Sequence, residues 1–380
     1  MVTASTCGED AAAVAEAAEV WARESVETRR VVASMSNATG AGFMRRLLQV
    51  DGMGPLEWLD GRGAGMGAAI VRLIGRRVAV REVAMRIART VSIMFLSVAL
   101  ATEAMAQLRS RIGADAAAAH GRVGVACSLP GVALDCGLNQ GEGLPMQSVY
   151  KFPIAMAALH AVEGGRLKLN QQIAFLPSDA VRPGIGSPLR NAHPKGGVDV
   201  PLEELLRLAI EESDGTASDI LLRVLGGPAV VDAYVRGLGI AGIHIRDTEK
   251  ALGADVQAQY RNDASAAALV ALLRLLADRS PLNAEHTALL LRMMTEAKTG
   301  PHRIRGMLPP GTQVAHKTGT SGTHKGVTNA TNDVGLITMP DGRRLAVVVL
   351  VTDSPESEAA REAVIARIAK DIWDAAGGKK

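Results

Sequence analysis

The hydrophobic pattern changes character along the chain, helical in the middle and strand-like towards both ends. After Ser148, apolar residues at Ile154, Ala157, Ala158 and Ala161 recur at helical spacing, and Gly164-Gly165 stop the helix. Residues 201–223 read as two helices broken at Ser213-Asp214-Gly215, and further helices are expected over about 264–278 and 283–298. In the tail, Thr312–Lys317, Val334–Met339 and Leu345–Thr352 are β-branched runs separated by turns such as Pro340-Asp341-Gly342. A last helix is expected over about 356–375. Upstream, residues 121–138 read as two strands around Pro130-Gly131, whereas 176–200, rich in Pro and Gly, reads as a long loop. These elements predict an α/β protein of the α+β type. One antiparallel sheet is built from both chain ends and flanked by helices, with an all-helical domain inserted. The expected boundaries are 107–152 and 299–380 for the sheet domain and 153–298 for the all-α domain.

Residues 85–106, MRIARTVSIMFLSVALATEAMA, break this pattern. Met85 is followed by Arg86 and Arg89, then an apolar run from Val91 to Ala101, then Ala104-Met105-Ala106. Positive, apolar and small residues in that order make a secretory signal, and the run is shorter than the roughly 20 residues needed to span a bilayer. A buried helix is the alternative. A signal peptide must begin a protein to be read. Residues 1–84, with ten Arg, no Lys and Gly-rich stretches, are therefore expected to be an upstream extension of the reading frame, and the mature chain to start near Gln107. Export predicts a periplasmic or secreted protein in an oxidising compartment. Cys127 and Cys136 then remain, either bonded across the 121–138 hairpin or as two small buried thiols.

Composition narrows the function. The 42 basic and 39 acidic residues nearly cancel, which argues against a partner bound by charge, whether nucleic acid or a membrane surface. Three Trp, three Tyr and four Phe are too few for stacking along single-stranded nucleic acid. The eight His and three Cys form no HxH, HExxH or CxxC, so neither a zinc site nor another cofactor is expected.

The chemistry lies in three short motifs. Ser148-Val149-Tyr150-Lys151 opens the first long helix, where positions i and i+3 share a face, so the hydroxyl meets the amine near a helix N-terminus. A serine is a weak nucleophile until a neighbouring base takes its proton. Alone, S-x-x-K is common by chance. Ser213-Asp214-Gly215 follows 65 residues later at a helix break, and Lys317-Thr318-Gly319 another 104 residues on, at the end of an expected strand. Together, in order, these match the set S-x-x-K, S-D-N and K-T-G of penicillin-recognising enzymes.

With these motifs the chain resembles the class A serine β-lactamases, and within them the PER- and VEB-like extended-spectrum branch. The passages SVYKFPIAMAALHAVEGGRL, QAQYRNDAS, TGPHRIRGMLPPGTQVAHKTGTSG and TNDVGLITMPDGRRLAVVVLVTDSPES carry the likeness, which covers about 107–375. The resemblance implies hydrolysis of the β-lactam ring of penicillins and cephalosporins through a serine acyl-enzyme, conferring antibiotic resistance. The partner is a small-molecule β-lactam, and a monomer free of the membrane after cleavage is expected. By the same likeness Ser148 attacks the lactam carbonyl and Lys151 handles its proton. Ser213 relays a proton to the lactam nitrogen, and Lys317, Thr318, Gly319, Thr320 and Ser321 line the substrate. The backbone N–H groups of Ser148 and Thr320 form the oxyanion hole. Glu249, on a loop from about Arg246 to Asn262, activates the hydrolytic water. Arg303 is expected to support Lys317 and the substrate carboxylate.

Three positions depart from the usual class A pattern. Gly215 stands where an Asn hydrogen-bonds the substrate's side-chain amide, and Gly253 where an Asn helps hold the water. Asp247 and Asn262 replace the Arg–Asp pair that closes the loop neck. The last departure is shared by the PER-like branch and supports that likeness. Gly253 keeps open a β-lactam sensor that acylates without hydrolysing, and the three shared motifs keep open a penicillin-binding D,D-peptidase.

Overall fold

A four-stranded antiparallel sheet organises the computed structural model, which describes residues 106–378 together with Met85, Arg89 and Thr90. The leader read at 85–106 and the extension 1–84 otherwise lie outside the described residues. The strands are β1 (Arg122–Ser128), β2 (Val314–Thr320), β3 (Thr331–Thr338) and β4 (Arg344–Thr352), in the spatial order β1-β4-β3-β2. Register is set by pairs such as Val125↔Val349 and Val334↔Lys317. The sheet is thus built from both ends of the sequence, as its pattern predicts.

Strand β4 shows why its sequence is apolar without a break. Leu345, Val347, Val349 and Val351 face one core, while Ala346, Val348 and Leu350 face another. A central strand covered on both faces loses the alternation that marks a half-exposed one. On the first side lie helix α1, over 106–117, with Leu108, Ile112 and Ala116 on one stripe, and the C-terminal helix α8 (Glu358–Ala375), with Ile365, Ile368 and Ile372. The other side meets the larger core, which continues into the helical region.

That region holds α2 (Lys151–Glu163), α3 (Leu202–Glu211), α4 (Gly215–Leu225), α5 (Pro228–Gly237), α6 (Ala266–Asp278) and α7 (Ala284–Thr295). Helix α2 is buried nearly all round, including Phe152, Ile154, Met156 and Leu159, and forms the axis of this core. Side chains cap three of the others, α4, α7 and α6: Asp214 accepts from Ala217 N at 2.9 Å, Asn283 from His286 N at 2.8 Å and Ser265 from Ala268 N at 3.2 Å.

Some expectations change. Ser148 does not open the long helix itself; it sits in a 3-10 turn, Gln147–Tyr150, and α2 starts at Lys151. The hairpin expected over 121–138 supplies only its first strand. The return makes isolated bridges, Leu129↔Val132 and Val125↔Leu138, and Cys127 is bonded to Cys136 across it. The long loop 176–200 contains a short helix, Pro188–Ala192, and ends in a strand, Val198–Pro201, that pairs with Gln172–Phe175.

Candidate active site

Strand β2 is the edge of the sheet, and its free side meets the turn that carries Ser148. The approach is close: a Cβ on Gly319 would lie 2.3 Å from Met146 O, so only glycine fits there. Asn332 on β3 fastens the same turn to the sheet, its Nδ2 donating to Pro145 O at 2.8 Å and Met146 O at 3.1 Å. From the other side Met146 N donates to Asn262 O at 2.9 Å. Gln147 is held at φ +48°, a strained conformation for a residue with a Cβ. Gln147, Val149 and Tyr150 are buried, which leaves Ser148 as the side chain of the turn with access to the cleft.

The motif residues converge. Ser148 Oγ lies 3.4 Å from Glu249 Oε1, and Lys151 Nζ lies 2.9 Å from the same oxygen. Lys151 Nζ also donates to Ser213 O at 2.6 Å. Ser213 sits at φ +57°, and this left-handed turn lets its carbonyl face Lys151 while its hydroxyl accepts from Lys317 Nζ at 3.0 Å. Lys151 and Lys317 are both fully buried. Burial, and then the like charge of Lys151, hold the Lys317 ammonium well below the usual lysine range.

Glu249 starts a short helix, Glu249–Ala254, capped by Thr248. Asp219 on α4 anchors it, accepting from Glu249 N at 2.7 Å and Lys250 N at 3.1 Å. Burial pushes the Asp219 carboxyl up to about 7, with the nearby Glu249 charge adding to the rise and the two backbone donors opposing it. The loop neck is closed by an amide: Asn262 Oδ1 accepts from Arg246 N at 2.8 Å and Asp247 N at 2.9 Å, and its Nδ2 donates to Asp247 O at 2.9 Å. Asp247 pairs instead with the neighbouring Arg261, at 2.6 Å.

The remaining candidates line β2. Thr318 Oγ1 shares a 2.6 Å hydrogen bond with Thr299 Oγ1. Ser321 N donates to Ala330 O at 2.9 Å, towards β3. Backbone N–H groups alternate sides along a strand, so the Thr320 N–H points the other way, to the free edge beside Ser148. The Ser321 hydroxyl is engaged in the sheet, accepting from Ala330 N at 2.9 Å. Arg303 is buried behind the strand. Its guanidinium donates to Asn332 O at 3.0 Å, Gly319 O at 3.3 Å and Thr320 Oγ1 at 2.8 Å, and pairs with Glu362 at 3.0 Å. It therefore braces Thr320 directly, and reaches Lys317 as a repelling charge at longer range. Sequence reasoning missed Asp219 and Asn332. Each sits among polar neighbours, Ser218 beside Asp219 and Thr331 and Asp333 beside Asn332, so only their burial in the structure sets them apart.

This arrangement offers a half-buried, accessible hydroxyl beside a carboxylate–ammonium pair, a second serine between two ammonium groups, and an N–H pointing into the cleft. It suits acyl transfer to serine. The comparisons agree. The model of the β-lactamase enzyme family matches residues 107–376. The extended-spectrum β-lactamase PER-1 of Pseudomonas aeruginosa is 40% identical over 236 residues, 62% of this chain and 76% of that protein. The β-lactamase VEB-1 of Pseudomonas aeruginosa is 36% identical over 262 residues, 68% of this chain and 86% of that protein. The crystal structure of a β-lactamase from Chitinophaga pinensis superposes with a TM-score of 0.67 at 41% identity, covering 71% of this chain and 99% of that one. A fold, a motif set and a cleft that all point to serine acyl transfer, carried by a chain with these relatives, place it in the β-lactamase enzyme family, among the class A serine enzymes.

Proposed function

We propose that Ser148, Lys151, Ser213 and Glu249 hydrolyse the β-lactam ring of penicillins and cephalosporins in two half-reactions, conferring antibiotic resistance. One observation carries this reading: Ser148 Oγ and Lys151 Nζ converge on the same Glu249 oxygen, at 3.4 and 2.9 Å. In acylation, Ser148 Oγ attacks the lactam carbonyl and its proton passes through Lys151 Nζ to Ser213 Oγ, 3.5 Å from that nitrogen, while Glu249 steadies Lys151. The N–H groups of Ser148 and Thr320 hold the developing oxyanion, each donor contributing roughly 3–4 kcal/mol. Ser213, polarised by Lys317, gives its proton to the departing nitrogen. In deacylation, Glu249 takes a proton from the attacking water and returns it to Ser148 Oγ, 3.4 Å away, as the ester bond breaks. Lys317 and Thr318 bind the substrate carboxylate, and Arg303 supports them through Thr320. Export from a start at Met85, with a mature chain from about Gln107, fits a family match that begins at residue 107. Among the described residues no helix is long and apolar enough to cross a membrane.

Purified residues 107–380 should consume many equivalents of a penicillin and of a cephalosporin, followed by loss of lactam absorbance, and Ser148→Ala should abolish this. A single stoichiometric burst from the wild type would favour the sensor reading instead.

A further inference from the structure

Two glycines in the cleft wall lack a backbone reason to be glycine. Gly215 opens α4 and Gly253 lies inside the Glu249–Ala254 helix, and neither has a positive φ. Glycine in a helix costs about 1 kcal/mol relative to alanine. The reason is space, and one side chain takes it. A Cβ on Gly253 would lie 2.4 Å from Ile185 Cδ1, and a Cβ on Gly215 would lie 3.0 Å from Ile185 Cγ2. Ile185 is half-buried, wedged between the segment that follows Ser213 and the segment that follows Glu249. Its main chain is fixed. Arg190 Nη1 donates to Val181 O at 3.1 Å, Arg182 O at 2.6 Å and Ile185 O at 3.1 Å, and Gly215 N donates to Gly186 O at 2.9 Å. The backbone under the wedge is therefore held, and Ile185 can leave this space only by changing rotamer.

We propose that Ile185 is a specificity-determining residue. It fills the space from which side-chain amides at 215 and 253 would act, so the cleft grips the acyl side chain of a β-lactam by apolar contact. The two departures from the family pattern then have a single cause. The idea rests on the hydrolase reading, and its test separates the two.

The measurement is kcat/KM for benzylpenicillin and for the bare penicillin nucleus, which carries a free amine in place of the acylamino group. The wild type should prefer benzylpenicillin. Removing one methylene from an apolar pocket typically costs at least about 10-fold. Ile185→Ala should accordingly cut that preference about 10-fold or more, through KM, while turnover of the bare nucleus holds. Ile185→Val, with one methyl fewer and the least risk to folding, should cut it by less. Gly215→Asn should lose activity and melt earlier in the wild-type background, and recover both in combination with Ile185→Ala. An unchanged preference in Ile185→Ala and Ile185→Val, with both still active, would overturn the proposal by reducing Ile185 to packing. So would a Gly215→Asn variant that behaves alike in both backgrounds. A wild type that hydrolyses neither compound would overturn the hydrolase reading, and this proposal with it.

Discussion

Lys317 is a buried cation whose partners are a hydroxyl, Ser213 Oγ at 3.0 Å, and its neighbour's carbonyl, Thr318 O at 3.0 Å. Burial and the Lys151 charge both favour its neutral form. Its charge is therefore lost, as pH rises, below the ordinary lysine value of 10.5. If Lys317 holds the substrate carboxylate, KM should rise on the alkaline limb well before that value while kcat changes less. Steady-state kinetics between pH 7 and 10 check this, and a flat KM would remove Lys317 from the carboxylate site. Ser213 illustrates why a motif alone is incomplete. Its spacing from Ser148 and Lys317 is legible in the sequence, whereas the left-handed φ that aims its carbonyl and hydroxyl at two different lysines is not. That conformation is imposed by tertiary contacts at a cost of roughly 1–3 kcal/mol.

Between elements, the short helix bearing Glu249 depends on Asp219 of α4. Asp219 has its carboxyl raised from 3.8 to about 7, so between those values the native state holds a proton that the unfolded chain has released. Its contribution to stability is full below about pH 4 and is lost as pH rises through about 7. Asp219→Asn should remove that part of the decline, leaving a flatter stability–pH profile between 4 and 7 in urea unfolding, and should lower kcat by loosening Glu249. An identical profile for both proteins would contradict the assignment. The segment after β1 shows another dependence. The second strand expected there fails because the return makes only isolated bridges, and the Cys127–Cys136 bond spans nine positions in place of a ladder. Closing so short a loop is worth about 2–3 kcal/mol. Replacing both cysteines by alanine should lower the unfolding free energy by that amount without changing kcat, because the pair packs against the sheet face opposite the helical core. The short strands Gln172–Phe175 and Val198–Pro201 were illegible for a different reason. Four residues beside Pro and Gly carry too little periodicity to show.

At the scale of the molecule, the sheet is legible from sequence because β4 is buried on both faces and apolar throughout, and because β3 and β2 carry the runs Val334–Met339 and Thr312–Lys317. Helix α1 is not, since the chain around residue 106 also reads as the end of a leader, and α5 is missed although Gly226-Gly227-Pro228 marks its start. The cleft depends on the whole arrangement: an edge strand with Lys317, a turn with Ser148 pressed on it by Asn332, and a loop whose amide-closed neck delivers Glu249. The central claim is that these parts act in two half-reactions, with Glu249 needed most for the second. Losing a general base typically costs 10²–10⁴-fold. The direct measurement is intact-protein mass spectrometry of Glu249→Gln and wild type seconds after mixing with a good cephalosporin. The account predicts a covalent adduct on Ser148 accumulating in Glu249→Gln, little in the wild type and none in Ser148→Ala. A Glu249→Gln protein that turns over as fast as the wild type with no adduct, or a wild type that itself remains acylated, would contradict it.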